Sequence, residues 1–333
     1  MTATPGTPVV DGAALRRLVE EALPRTGVAR ESLVELEQAL SPSTTSYTTV
    51  ALTARLRGGR TLRLFLKDFG YSRLPKDGAG NRRLRELHVY RDLLVGSGLG
   101  APEYYGALWD EQEGRRWLLL EHVDGVQLRD CEFDAWLPSA AWLARLHAHF
   151  DGRSAELEGS PLLIRHDEDY FRSRASNALR DVRRFSARSR RRLAELVTGY
   201  DELAVLMASQ PLTLVHGNYQ SKNIVVRRSG PQPRVAPVDW EVAAVGSALY
   251  DLGHLLDGYQ GKRLHALLDA YGTEAERLGL LVDLDHEALR LMSCYCLHRV
   301  IKSLGRSLEK GFADADVSDL LDHGERLRER IVR

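Results

Sequence analysis

The residues best suited to chemistry occupy Leu214-Val215-His216-Gly217-Asn218-Tyr219-Gln220-Ser221-Lys222-Asn223-Ile224-Val225-Val226, followed by Pro237-Val238-Asp239-Trp240-Glu241. Polar residues stand in loops between tight apolar runs. The Asn223 amide oxygen and the Asp239 carboxylate can meet at the mouth of a small hairpin, and that oxygen pair suits a hard Mg²⁺ ion bridging phosphates. His216, directly before a glycine, reads as a residue that fixes the turn through backbone hydrogen bonds rather than as a base. Asn218 can accept a hydrogen bond from a hydroxyl and hold it in line, but its amide cannot take up a proton.

Such residues need a frame, and the apolar runs supply one. Leu212 to Val215, Ile224 to Val226 and Val235 to Val238 have the length and composition of short strands. Upstream, Asp11 to Leu23 predicts a helix with Asp11 as its N-cap. Ser46 to Phe69 alternates through Tyr47, Val50, Leu52 and Ala54 to Gly58-Gly59, then through Leu62, Leu64 and Leu66, which predicts a β-hairpin. A helix follows over Asn81 to Leu94, with Leu84, Leu87, Tyr90, Leu93 and Leu94 on its apolar face. Strands are expected over Tyr104 to Trp109 and Arg116 to Val123. Beyond Gly125 helical periodicity dominates, over Phe133 to Phe150, Tyr170 to Asn177, Leu179 to Met207, Arg263 to Glu276 and Asp285 to Glu309.

The order His-Gly-Xaa, four residues, Asn, then an apolar strand ending in Asp-Trp-Glu resembles the catalytic and metal loops of the aminoglycoside phosphotransferase and choline kinase family. Gly246-Ser247-Ala248-Leu249-Tyr250-Asp251-Leu252 is similar to that family's next landmark. The resemblance covers roughly Leu40 to Leu256 and implies an α+β, two-lobed, protein kinase-like fold with a small β-rich N-lobe and a larger, mainly helical C-lobe. The expected division is an extension with a short helix over 1–30, a nucleotide-binding N-lobe over 31–123, and a C-lobe over 124–333. By the same resemblance Lys67 grips the nucleotide phosphates and pairs with Glu86, and Ser43 lies in the loop over the phosphates. The hinge backbone near Glu121 and Val123 meets the base, Asn223 and Asp239 hold the metal, and Asp251 buttresses the catalytic loop. Two departures stand out: Ser41 to Ser46 contains no glycine, and Asn218 occupies the position of the family's catalytic aspartate.

The implied activity is Mg²⁺-dependent transfer of the terminal phosphate of ATP or GTP to a hydroxyl of a small molecule. Asn218 leaves two alternatives, a nucleotide-binding scaffold of pseudokinase type and a kinase of peptide Ser or Thr. Composition narrows the partners. The 333 residues balance 46 Lys and Arg against 46 Asp and Glu, so no global field recruits nucleic acid or an anionic membrane. No run reaches the roughly 18 apolar residues of a membrane span, and the first residues lack the pattern of a secretory signal. Cys131, Cys294 and Cys296 have neither redox-pair nor zinc-knuckle spacing, and a reduced, cytoplasmic setting is expected. The arginines from Arg180 to Arg192 read as a solvated helix face, with a clamp for an acidic substrate, a peptide or RNA as the rival. Asp283, Asp285, Glu287, Asp314 and Asp316 are scattered acids that could line part of an acceptor cleft.

Overall fold

Asp11 opens the first helix by accepting the Ala13 and Ala14 amides, and Ala14, Leu15, Leu18 and Val19 form its buried stripe. In the computed structural model, which describes residues 10–28, 31–41, 46–72, 78–227 and 233–332, the chain divides after Gly125 into two compact units. The first holds α1 (Gly12–Ala22), strands β1 (Leu33–Leu40), β2 (Tyr47–Leu56) and β3 (Thr61–Ser72), α2 (Ala79–His88), β4 (Tyr104–Asp110) and β5 (Arg115–Glu121). The strands make one antiparallel sheet of order β1-β2-β3-β5-β4. Val50, Leu52, Leu64, Leu66, Trp117 and Leu119 project from one face of it and pack with the α1 stripe. Because side chains alternate along a strand, Lys67 belongs to the opposite face.

The second unit contains β6 (Val126–Gln127), α3 (Trp136–His149), α4 (Ser154–Glu158), β7 (Ile164–Arg165), α5 (Glu168–Asp181), α6 (Ala187–Leu196) and α7 (Tyr200–Ala208). It continues with β8 (Thr213–Val215), β9 (Ile224–Arg227), β10 (Arg234–Pro237), β11 (Ala244–Gly246), α8 (Ala248–Leu256), α9 (Gly261–Arg277), α10 (His286–Leu304) and α11 (Asp314–Val332). Two three-stranded sheets, β10-β9-β6 and β7-β11-β8, carry the loops of interest. A hydrophobic core packs α5, α6, α7, α10 and α11 around Phe171, Leu193, Tyr295, Leu297 and Leu321. Cys294 and Cys296 are buried there as free thiols.

The structure corrects several expectations. The single helix expected over Leu179 to Met207 is broken. Ser186 caps a new helix by accepting the Ser189 amide, and Gly199 turns the chain at φ 69° before α7. Leu84 is exposed rather than part of the apolar face, where Arg85 and Glu86 are buried instead. The α2 helix ends at His88 and continues as a π-helical turn over Val89–Leu94. Strand β1 and helix α11 are additions. Among the arginines, Arg192 pairs with Glu325 and Asp322 of α11, while Arg183, Arg184, Arg188, Arg190 and Arg191 are exposed. No helix among the described residues is long and apolar enough to cross a membrane.

Five histidines of the second unit are buried: His147, His166, His216, His254 and His298. Burial lowers His147 from 6.5 to about 3 and His216 to about 4, and also holds the other three well below the ordinary value. Between 6.5 and those depressed values the unfolded chain binds protons that the folded chain refuses, so stability falls as pH falls. Each histidine contributes roughly 1.4 kcal/mol per pH unit in that window. Asp251, raised to about 7 by burial, acts in the opposite direction but is a single group. Urea unfolding at pH 7 and pH 5 is expected to show a clearly lower midpoint at pH 5; an equal or higher midpoint would refute this charge accounting.

Candidate active site

Strand β8 delivers the chain into the His216 loop, and the start of α8 holds that loop in place. Asp251, fully buried, accepts the backbone amides of His216 at 2.5 Å and Gly217 at 3.1 Å. Its carboxyl is raised to about 7 by burial, against the opposing pull of the amides of His216, Gly217 and Tyr219. Gly217 adopts φ 74°, and a Cβ there would lie 2.1 Å from the carbonyl oxygen of Val242. Only glycine satisfies both conditions.

Both ring nitrogens of His216 are engaged by backbone. Nδ1 accepts the Asn218 amide at 3.3 Å, which leaves the proton on Nε2, and Nε2 donates to the Val238 carbonyl at 3.0 Å. The ring packs against Trp240 at a centroid distance of 4.4 Å, and burial keeps it neutral down to about pH 4. Such an imidazole fixes loop geometry and has no free nitrogen with which to abstract a proton. Tyr219, next to Asn218, donates its hydroxyl to the Ser139 carbonyl at 2.8 Å and stacks on Trp142. These anchors were not singled out in the sequence, where an aromatic residue inside a polar loop was the available signal.

Asn223 is tied on two sides. Its Nδ2 donates to the Asn218 carbonyl at 3.0 Å, and its own carbonyl accepts the Val238 amide at 2.8 Å. The residue before Asp239 is therefore bonded to both His216 and Asn223, so Asn218, Asn223 and Asp239 are gathered at one end of the β9-β10 hairpin. Asp239 has φ 70°, alone among the described non-glycine residues. Strain of this kind costs on the order of 1–3 kcal/mol and persists only where surrounding bonds enforce it. With Nδ2 of Asn223 committed, its Oδ1 remains the side-chain acceptor; together with the Asp239 carboxylate it makes a hard, oxygen-only donor set. Among the described residues no group of three or more His, Cys, Asp or Glu could hold a metal. Two oxygen donors that leave room for phosphates and water fit Mg²⁺.

In the first unit Lys67 Nζ donates to both carboxylate oxygens of Glu86, at 2.9 and 2.7 Å. Both residues are buried, and Lys67 also lies near the rings of Tyr47 and Phe69. The two hydrogen bonds to one carboxylate fix the position of the Lys67 ammonium. The Glu121 amide is already bonded to the Glu103 carbonyl at 2.9 Å, whereas the backbone of Val123 makes no hydrogen bond among the described residues. Of the two residues expected to meet a base, Val123 keeps an uncommitted backbone donor and acceptor. Ser43 lies outside the described residues.

The acids of the tail do not gather. Asp285 caps α10 through the Ala288 amide, Glu287 pairs with Arg290, Asp316 accepts the Ala313 amide, and Asp314 stands in the first turn of α11.

An antiparallel sheet with a buried Lys-Glu pair, joined in sequence to a helical unit with a buttressed His-Gly-Asn loop, defines a phosphotransferase of kinase-like fold. The chain belongs to the phosphotransferase enzyme family, whose model matches residues 51–286. Among solved structures it is similar to aminoglycoside 2'-phosphotransferase-IIIa in its GDP complex, with 16% identity, TM-score 0.61, and 93% of this chain and 98% of that one covered. Choline kinase from Cryptosporidium parvum Iowa II gives 12% identity, TM-score 0.63, and coverage of 97% and 96%. A macrolide 2'-phosphotransferase from Brachybacterium faecium gives 16% identity, TM-score 0.53, and coverage of 96% and 97%. No curated protein sequence matches the chain.

Gly217→Ala tests the loop. The left-handed backbone and the clash with the Val242 carbonyl should together cost more than about 2 kcal/mol. Thermal unfolding is expected to show a distinctly lower midpoint, while Gly59→Ala, at an exposed turn with φ 82° and open space around it, should cost less. Equal effects would mean that the loop yields without strain.

Proposed function

We propose that this protein transfers the terminal phosphate of ATP or GTP to a hydroxyl group of a small molecule. The observation that carries this reading is the chain of hydrogen bonds from Asp251 through His216 to Val238, and from Asn223 back to Asn218, which gathers an acceptor-orienting amide and two metal-suited oxygens. Lys67, held by Glu86, grips nucleotide phosphates, and the Val123 backbone meets the base. Asn223 and Asp239 would hold Mg²⁺, which when bound neutralises charge on the phosphates. The relatives named above support a small-molecule acceptor, and no observation here favours a peptide. The three cysteines are free thiols, which suits the cytoplasm.

Asn218 sets the character of the reaction. Its side-chain oxygen accepts the acceptor's O–H and keeps the oxygen in line; as that oxygen bonds to the terminal phosphorus, the nucleoside diphosphate leaves and the hydroxyl proton passes to an oxygen of the transferred phosphate and on to water. Phosphoryl transfer tolerates this better than most reactions because its loose transition state places little demand on nucleophile deprotonation. The same residue favours a second reading, a nucleotide-binding scaffold without turnover.

Transfer of labelled terminal phosphate to a panel of hydroxylated small molecules separates the two. Wild-type protein is expected to turn over slowly, and Asn218→Asp to be faster by roughly 10²-fold, the low end of the effect of a general base. Asp239→Ala should abolish Mg²⁺-dependent turnover in either background. Nucleotide binding with silence in both wild type and Asn218→Asp would favour the scaffold, and absence of nucleotide binding would overturn the assignment.

A further inference from the structure

One turn of α5 and one turn of α10 present a matched set of polar groups. On α5, Tyr170 and Arg174 stand four residues apart on one face; on α10, His298 and Lys302 do the same. The pairs meet: Lys302 Nζ lies 3.3 Å from the Tyr170 hydroxyl, the Arg174 guanidinium lies 5.0 Å from the centre of the Tyr170 ring, and the His298 ring lies 5.3 Å from it. Neither Arg174 nor Lys302 makes an ion pair among the described residues. Arg174 Nε is buried without a hydrogen-bond partner, and so is Nε2 of the fully buried His298. Leaving such donors unmet is costly, as is leaving two half-buried cations uncompensated.

This cluster lies next to the catalytic loop. Tyr250, adjacent to Asp251 on α8, packs on His166, whose ring stacks on Tyr170. Lys302 is close enough to Asp251 to lower its carboxyl pKa and close enough to Lys310 to act on it; Lys310 in turn feels Lys222, between Asn218 and Asn223 in the loop. Positive charge thus extends from the α5-α10 cluster to the loop. Of the tail acids, Asp285 and Asp316 are engaged by backbone amides at helix starts and Glu287 pairs with Arg290.

We propose that Arg174 and Lys302 form the recognition site for an anionic group, a carboxylate or phosphate ester, on the hydroxyl-bearing acceptor. The inference rests on the phosphotransferase reading and adds the acceptor's chemical class to it. The Arg174 fork over the Tyr170 ring and the Lys302 ammonium at its hydroxyl bind the anion, and His298 adds a neutral donor. The acceptor class is then a hydroxy acid or a phosphorylated alcohol, opposite in charge to an amino sugar or a quaternary amino alcohol.

The test is calorimetric titration of the full chain, in the presence of Mg-nucleotide so that the phosphate-binding part of the nucleotide site is filled. Inorganic phosphate and lactate serve as anionic probes, glucosamine and choline as cationic ones. Saturable binding of phosphate or lactate and none of the cations is expected; the stronger of the two anions identifies the ester or the carboxylate as the source. Arg174→Met and Lys302→Met should each weaken that binding by roughly tenfold or more, while Arg174→Lys and Lys302→Arg, which keep the charge, should retain most of it. Melting curves identify any variant that fails to fold, and the charge-keeping pair then decides. Wild-type protein that binds no anion, anion binding indifferent to both methionine variants, or binding of the cations alone would overturn the proposal. Nucleotide binding measured in the same samples reports on the phosphotransferase assignment separately: its loss with anion binding intact would sink that assignment and leave the anion site standing.

Discussion

The geometry of the His216 loop depends on one buried carboxylate. Asp251 meets no cation at ion-pair distance and instead receives the amides of His216 and Gly217. Each of those amides, if unmet, would cost about 1–3 kcal/mol, and the carboxylate alone would be protonated by its burial. Donors and acceptor therefore stabilise one another, and the bond fixes the backbone at the first two loop residues. The next contacts follow from that placement. His216 is oriented so that one nitrogen receives Asn218 and the other reaches Val238, and Asn223 then closes the circuit to Asn218. The strained backbone of Asp239 sits where this circuit ends. Strain at that residue is a consequence of bonds made on its neighbours, which is how a fold can hold a carboxylate in an unfavourable conformation.

The circuit also explains how an asparagine can stand at position 218 without loosening the site. What organises the loop is the backbone of residue 218, which donates to His216 and accepts from Asn223. Its side chain takes no part in those bonds. Exchange of carboxylate for amide at that position changes proton affinity and local charge and leaves the scaffold intact. Loss of that negative charge also changes the local field in a direction that suits an anionic acceptor better than a cationic one.

Much of this was legible in the sequence because the loop is local: His216, Asn218 and Asn223 lie within one short stretch, and Asp239 ends the next apolar run. The Lys67-Glu86 pair was legible only through family resemblance, since alternation marks Lys67 as lying on the face opposite Leu64 and Leu66 but does not say what meets it. Strand β1 was missed because Leu-Val-Glu-Leu-Glu-Gln-Ala-Leu is rich in helix-favouring residues, and its pairing with β2 overrides them. The break at Gly199 was missed because apolar spacing continues across it on both sides. Leu84 looked like a core residue by spacing, yet the face that α2 buries carries Glu86, fixed by its bond to Lys67. Arg174 and Lys302 gave no signal at all, because only packing of α5 on α10 brings them to the same tyrosine.

Lys302 links the loop buttress to the α5-α10 cluster. Its charge helps keep Asp251 ionised, and the same charge helps keep His166, His254 and His298 neutral within the core. An anion bound between Arg174 and Lys302, as proposed, would partly cancel that field and so couple its binding to the electrostatics of the buttress through one side chain. The coupling is modest in distance and needs no conformational relay, since α8 carries Asp251 on the loop and Tyr250 in the aromatic packing beside the cluster. The positioning loop hangs on α8 and the proposed anion-binding charge on α5 and α10, and the packing of Tyr250, His166 and Tyr170 joins the two.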